Sequence, residues 1–348
     1  MIRSLTGLRF VFALMIFMHH FPMGGRVVFP EGGALAVCFF FILSGFVLAY
    51  SYQERLVARE ITSRTFYTGR LSKLYPLHIL CFAVAAVLII KTMSWKHLLA
   101  APVNMALLQS WIPVKGVYFS YNAVAWFSSD MLFFYLIFPC LALKMKTIGW
   151  KKLIAGGSVV LGVYLLLVRL IPVAWQHAVF YINPCFRLLD FTLGIVLFKG
   201  LHELKRRWNP CSNKWFVTFA EVGVLAFLAL FVSCADVIPD VYKMALYYWL
   251  PVVLILFVFV FFNNPGGYLA RLLSVRWLVS LGEVSFSFYM IHQLVIRICT
   301  YLFKMLSVGW PWWTGFILVL SVAVGGSYLS FYYIEKPLSK WLKSKFLR

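Results

Sequence analysis

Acidic residues are scarce in this sequence: 11 Asp and Glu stand against 32 Lys and Arg in 348 residues. Charge of either sign is thin, at 12% of the chain, while 63% of the residues are hydrophobic. A soluble domain carries roughly 45–50% apolar and about 25% charged residues, so too few polar side chains are left to coat a water-facing surface. Other signals are missing as well. The seven cysteines form no CxxC and are odd in number, which argues against a disulfide framework or a cysteine metal site; all but Cys211 lie in or beside apolar segments and read as small core residues. His202-Glu203 is followed by Arg206 where an HExxH helix would place its second histidine. No Walker A loop, dinucleotide-binding glycine turn or GxSxG elbow occurs, so ATP-driven pumps and serine hydrolases lose their support along with metalloproteases. Neither a repeat of 20–50 residues nor a low-complexity linker divides the chain, which reads as a single domain over residues 1–348.

What is present is apolar sequence in blocks of membrane-spanning length. A helix needs about 20 mostly apolar residues to cross the hydrocarbon layer. Ten segments qualify: 5–23, 34–52, 74–91, 124–143, 152–172, 182–200, 215–234, 242–262, 284–306 and 312–334. The expected fold is therefore an all-α, polytopic integral membrane bundle of about ten transmembrane helices. Turn residues such as Pro22-Met23-Gly24-Gly25 and Asn263-Asn264-Pro265-Gly266-Gly267 separate the segments. Arg3 before an apolar run imitates a signal peptide. Arg9 and His19-His20 within that run, with no small-residue cleavage site after it, favour a retained first helix.

The net charge of +21 would suggest nucleic acid in a soluble protein, but its placement points elsewhere. Alternate loops carry 22 Lys and Arg on one side and 6 on the other, with Arg9, Arg169, Arg187 and Arg297 inside helices. The positive-inside rule makes the rich side cytoplasmic, both termini included, and removes the need for a nucleic-acid partner.

Ionisable groups at membrane depth cost several kcal/mol unless paired or wetted, so each is a candidate for function. Arg9 and His20 are eleven residues apart, roughly 20° off a whole number of helical turns, and share one face about 16 Å apart along the axis. His19 is turned about 80° from that face. Arg187 and Asp190, at i and i+3, can pair on one face of their helix. Asp130 sits among Trp126, Phe127 and Phe133, where it could orient an imidazole, bind a hydroxyl or pair with an arginine. Arg70 and Lys73 flank a cytoplasmic helix entrance as a candidate phosphate clamp. The longest outer loop, 92–123, carries Trp95, Trp111, Tyr118 and Tyr121, which suit a lid, a sugar-stacking platform or an interfacial anchor.

These residues fall into an ordered set of motifs. Leu5-Thr6-Gly7-Leu8-Arg9 through His20, Phe39–Phe46 with Ser44-Gly45, and Arg70-Leu-Ser-Lys73-Leu-Tyr-Pro76 come first. Trp126 through Tyr135 with Pro139, Arg187-Leu-Leu-Asp190-Phe191 with Gly194, Leu281 through His292, and Ile334-Glu335-Lys336-Pro337 follow. Together they resemble the acyltransferase-3 family of integral membrane acyltransferases, the surface-polysaccharide O-acetyltransferase type, along almost the whole chain. The chain departs from that pattern at Lys73, where an arginine is usual, and at Met131, where many members carry glutamate. The resemblance implies transfer of an acyl group, usually acetyl, from acyl-CoA as co-substrate, with no bound cofactor, to a glycan or glycolipid hydroxyl at the inner membrane. His20 is the expected general base, since a neutral imidazole in a partly dry site is poised near pH 7; Asp130 is the second expected catalytic residue, and Arg9, Arg70 and Lys73 would hold the donor phosphates. His19, Ser44, Arg187, Asp190 and His292 would support the site, and no metal is called for. A secondary transporter or flippase for a glycolipid or organic anion is the alternative that a bundle with intramembrane Arg, Asp and His leaves open.

Overall fold

The computed structural model describes residues 2–23, 26–244, 246–264, 266–306 and 311–347. The expected breaks at Gly24-Gly25 and Pro265, and the terminal Arg348, lie outside them. Helices dominate: α1 (Arg3–His20), α2 (Gly32–Val57), α3 (Ser63–Leu88), α4 (Trp95–Met105), α5 (Trp126–Thr147), α6 (Trp150–Leu170) and α7 (Pro184–Arg207). They continue as α8 (Lys214–Ser233), α9 (Trp249–Phe261), α10 (Arg276–Glu283), α11 (Ser285–Met305), α12 (Trp312–Ser330) and α13 (Lys336–Phe346). A two-residue antiparallel pairing of Pro22–Met23 with Arg26–Val27 closes the turn after α1.

Every one of the ten expected segments contains a helix, but fewer meet the physical requirements of a lipid-exposed span. Among the described residues seven helices are long and apolar enough, or eight if Val173–Ile182 and α7, bent by 43°, count as one. The expected count of ten is not reached by this measure. Of the two remaining segments, α9 has only 13 residues, and α1 is diluted by Arg3, Arg9, His19 and His20. Neither must satisfy lipid on all sides. Half of the 18 residues of α1 are buried against other helices.

The bundle is graded from centre to lipid. The apolar window of α2 is 78% buried and that of α5 61%, whereas α6 is at 11% and α8 at 17%. Close approach at the centre depends on glycine. A Cβ on Gly45 would lie 1.9 Å from the Phe191 carbonyl oxygen, and one on Gly194 would lie 1.9 Å from that of Ile42. Only residues without a side chain allow α2 and α7 to cross backbone to backbone, the small-residue packing typical of membrane helices. The cysteines are unpaired, and only Cys38, Cys81 and Cys299 are core residues; Cys140, Cys185 and Cys234 face outward, contrary to expectation.

The 92–123 segment is a folded cap. His78 on α3 holds the Asn104 carbonyl at 2.8 Å, and the Asn104 amide donates to Ser120 at 2.7 Å. Tyr121 donates to the His97 carbonyl at 2.8 Å. Tyr118 and Tyr121 are buried, while Trp95 and Trp111 remain exposed, so the four aromatics do not form one stacking surface.

Candidate active site

Helix α1 carries a polar pole at each end. At its C-terminal end His20 meets His292 of α11. His20 Nδ1 lies 3.1 Å from His292 Nε2 and 3.0 Å from the Ile16 carbonyl one turn back. His292 is fully buried, and its Nδ1 lies 2.6 Å from the Tyr289 carbonyl. Two hydrogen bonds tie this turn of α11 to residues 122–124. The Asn122 amide donates to the Met290 carbonyl at 2.9 Å, and the Tyr289 hydroxyl donates to the Val124 carbonyl at 2.9 Å. His19 points elsewhere, as its position on the helix requires: its Nδ1 meets the Pro30 carbonyl at 2.6 Å, and its ring rests where a Cβ on Gly33 would stand. The two neighbouring rings are edge-on, 5.0 Å apart.

The other pole gathers Arg9, Arg70 and Lys73. Arg9 lies in the electrostatic field of Glu335, Tyr135 and Glu283, and Lys73 in that of Arg70, Lys343, Glu335 and Arg9. Arg70 donates to the Tyr52 hydroxyl and stacks 4.5 Å from that ring's centre. Glu335, just before α13, accepts from Ser287 at 2.8 Å. Neither Arg9 nor Arg70 nor Lys73 forms an ion pair among the described residues, so three cations converge with one buried carboxylate nearby. Glu335, Tyr52 and Tyr135 belong to this pole and were not singled out from the sequence. Glu335 and Tyr135 stand inside recognised motifs, and an acid within an otherwise acid-poor chain was the available signal.

Asp130 joins neither pole. It is fully buried on α5, and neither carboxylate oxygen meets a hydrogen-bond partner among the described residues. The Ser110 side chain lies beside it, and Arg187 and Asp190 are its charged neighbours. The side chain that meets His20 is His292. Arg187 and Asp190 form an ion pair at 2.7 Å, both buried, although its angles are poor for a hydrogen bond. Arg187 also donates to the Met244 carbonyl at 2.5 Å, and the Trp249 indole donates to Asp190. Ser44 on α2 is half-buried and makes no side-chain hydrogen bond among the described residues.

A family model described as an acyltransferase domain, acyltransferase-3, matches residues 2–332. The chain belongs to the acyltransferase-3 family. Members with curated descriptions include "Acyltransferase MdmB" of Streptomyces mycarofaciens, 29% identical over 84% of this chain and 79% of its own length. "Putative O-acetyltransferase SACOL0978" of Staphylococcus aureus (strain COL) is 26% identical over 97% of this chain and 57% of its own length. The chain thus spans little more than half of the staphylococcal relative. No solved structure matches significantly. An acyltransferase-3 protein with several helices able to cross a membrane is a multi-pass membrane acyltransferase. Such an enzyme takes an acyl donor and a hydroxyl-bearing acceptor, and the transporter alternative gains nothing from these relatives.

Proposed function

We propose that this acyltransferase moves an acyl group, acetyl by preference, from acyl-CoA to a hydroxyl of a surface or lipid-linked glycan, with His20 as general base. The supporting observation is the state of the His20 ring. Its Nδ1 faces a backbone carbonyl, which can only accept, so Nδ1 carries the proton and Nε2 is left with a lone pair. Nothing among the described residues hydrogen-bonds that Nε2. A hydroxyl placed there loses its proton to Nε2 as its oxygen attacks the thioester carbonyl. The C–S bond then breaks, and the thiolate leaves with the proton that His20 returns. A thioester is already activated, so this scheme needs no metal and no resident cofactor.

The Arg9, Arg70 and Lys73 pole supplies what the donor's phosphates need, namely three cations that form no ion pair among the described residues. By the charge asymmetry of the loops that pole is cytoplasmic, where acyl-CoA is made, and both termini lie on that side of the inner membrane. His20 stands about 16 Å further along the helix. The donor's flexible arm would carry the acyl group across that distance to an acceptor arriving from the outer side. Mass spectrometry of surface glycans from cells with and without the gene tests the reading. Loss of acyl groups is expected. Unchanged acylation would overturn it, and loss of glycan export in place of acyl groups would revive the transporter.

A further inference from the structure

We propose that His292 is the positioning residue for His20, taking the hydrogen bond from its Nδ1–H and sharing the positive charge that His20 acquires in each turnover. This rests on the reading of His20 as the base. A carbonyl oxygen cannot donate, so His292 Nδ1, 2.6 Å from the Tyr289 carbonyl, carries hydrogen. In the neutral ring His292 Nε2 is then an acceptor, and it lies 3.1 Å from His20 Nδ1. That nitrogen also faces the Ile16 carbonyl at 3.0 Å. Two acceptors around one nitrogen require Nδ1–H on His20. Each ring therefore fixes the next, and the only ring nitrogen left to receive a proton is His20 Nε2.

The partner is rigidly held. The His292 ring lies within 6.5 Å, centre to centre, of Phe17, Phe288 and Tyr289; the Met290 carbonyl accepts from Asn122 of the cap, and the Tyr289 hydroxyl donates to the Val124 carbonyl. When His20 becomes an imidazolium, its Nδ1–H bond to His292 becomes charge-assisted and strengthens. In hydrolases with a serine nucleophile a carboxylate fills this place. Here an imidazole does, and Asp130 lies in the field of Arg187 and Asp190. The proton does not travel beyond His292, because the chain ends on a carbonyl.

The test uses the full-length protein in membrane vesicles, radiolabelled acetyl-CoA as donor, and the cell's own surface glycan as acceptor. His292→Leu keeps bulk and removes the acceptor. At matched abundance it should lower kcat about ten- to a hundredfold, the effect of losing one hydrogen bond to a charged group, with KM for acetyl-CoA unchanged. His292→Gln restores an acceptor and should recover part of the rate. In a His20→Ala background His292→Leu should cost nothing further. If His292→Leu fails to accumulate, nitrogen-15 spectra of the histidine-labelled native protein still decide the matter, since both rings must carry their proton on Nδ1. A proton on Nε2 of either ring overturns the proposal, as does a native rate in His292→Leu while His20→Ala is dead. Should His20→Ala itself be active, the base assignment fails, whatever His292 does.

Discussion

Breaking the Arg187–Asp190 pair separates what stabilises this bundle from what catalyses in it. Arg187 is fully buried and Asp190 nearly so, and their charged atoms stand 2.7 Å apart. Arg187→Ala leaves a buried carboxylate with, among the described residues, only the Trp249 indole as donor. It also strips a cation that lies 5.0 Å from the Phe41 ring centre and 5.5 Å from that of Tyr181, and a donor to the Met244 carbonyl. Removing one partner of a buried pair costs about 3–5 kcal/mol, because the remaining charge has no water to turn to. Asp190→Asn should cost less, about 1.5–3 kcal/mol, since the amide oxygen still accepts from Trp249 and only the charge-assisted bond is lost. Replacing both charges together, Arg187→Met with Asp190→Leu, should recover most of the stability of the intact pair. The assay is thermal unfolding of the detergent-solubilised protein, followed by size-exclusion fluorescence. Arg187→Ala should fall by several degrees, Asp190→Asn by less, and the double variant should return towards native. A single variant melting within about one degree of native would refute the reasoning, as would a double variant worse than both singles.

The remaining predictions concern the two poles and their orientation. His20→Ala should lower acyl transfer about 10²- to 10⁴-fold with the protein still inserted, and His19→Ala far less; glycan acylation at matched abundance checks this, and a dead His19→Ala beside an active His20→Ala would reverse the assignment. Arg70→Ala should raise the acetyl-CoA concentration needed for half-maximal rate, and Lys73→Arg, which restores a planar fork for phosphate, should be neutral or better; unchanged transfer by Arg70→Ala at limiting donor would remove the phosphate clamp. Reporter fusions after residue 348 and within residues 97–120 should lie on opposite sides of the membrane, and the same side for both would contradict the charge-based orientation.

Composition and spacing determined much of this protein without any tertiary information. A chain this apolar has to place helices in lipid, because an unpaired backbone amide in hydrocarbon costs too much for any open structure. Helical geometry alone separated His20 from His19 and placed Arg187 beside Asp190, since both are relations within one helix. Sequence could not decide which helices face lipid. The α1 segment is too polar to qualify as a lipid-exposed span and too well covered by its neighbours to need to be one. Nor could it show that the imidazole of residue 292 would meet that of residue 20 across the bundle, or that Asp130 would lie in the field of Arg187. Those partnerships depend on how distant helices cross, and the crossing of α2 with α7 is set by glycines whose missing side chains act only when two backbones come within reach. Periodicity fixes a side chain's direction on its own helix; only packing fixes what stands opposite.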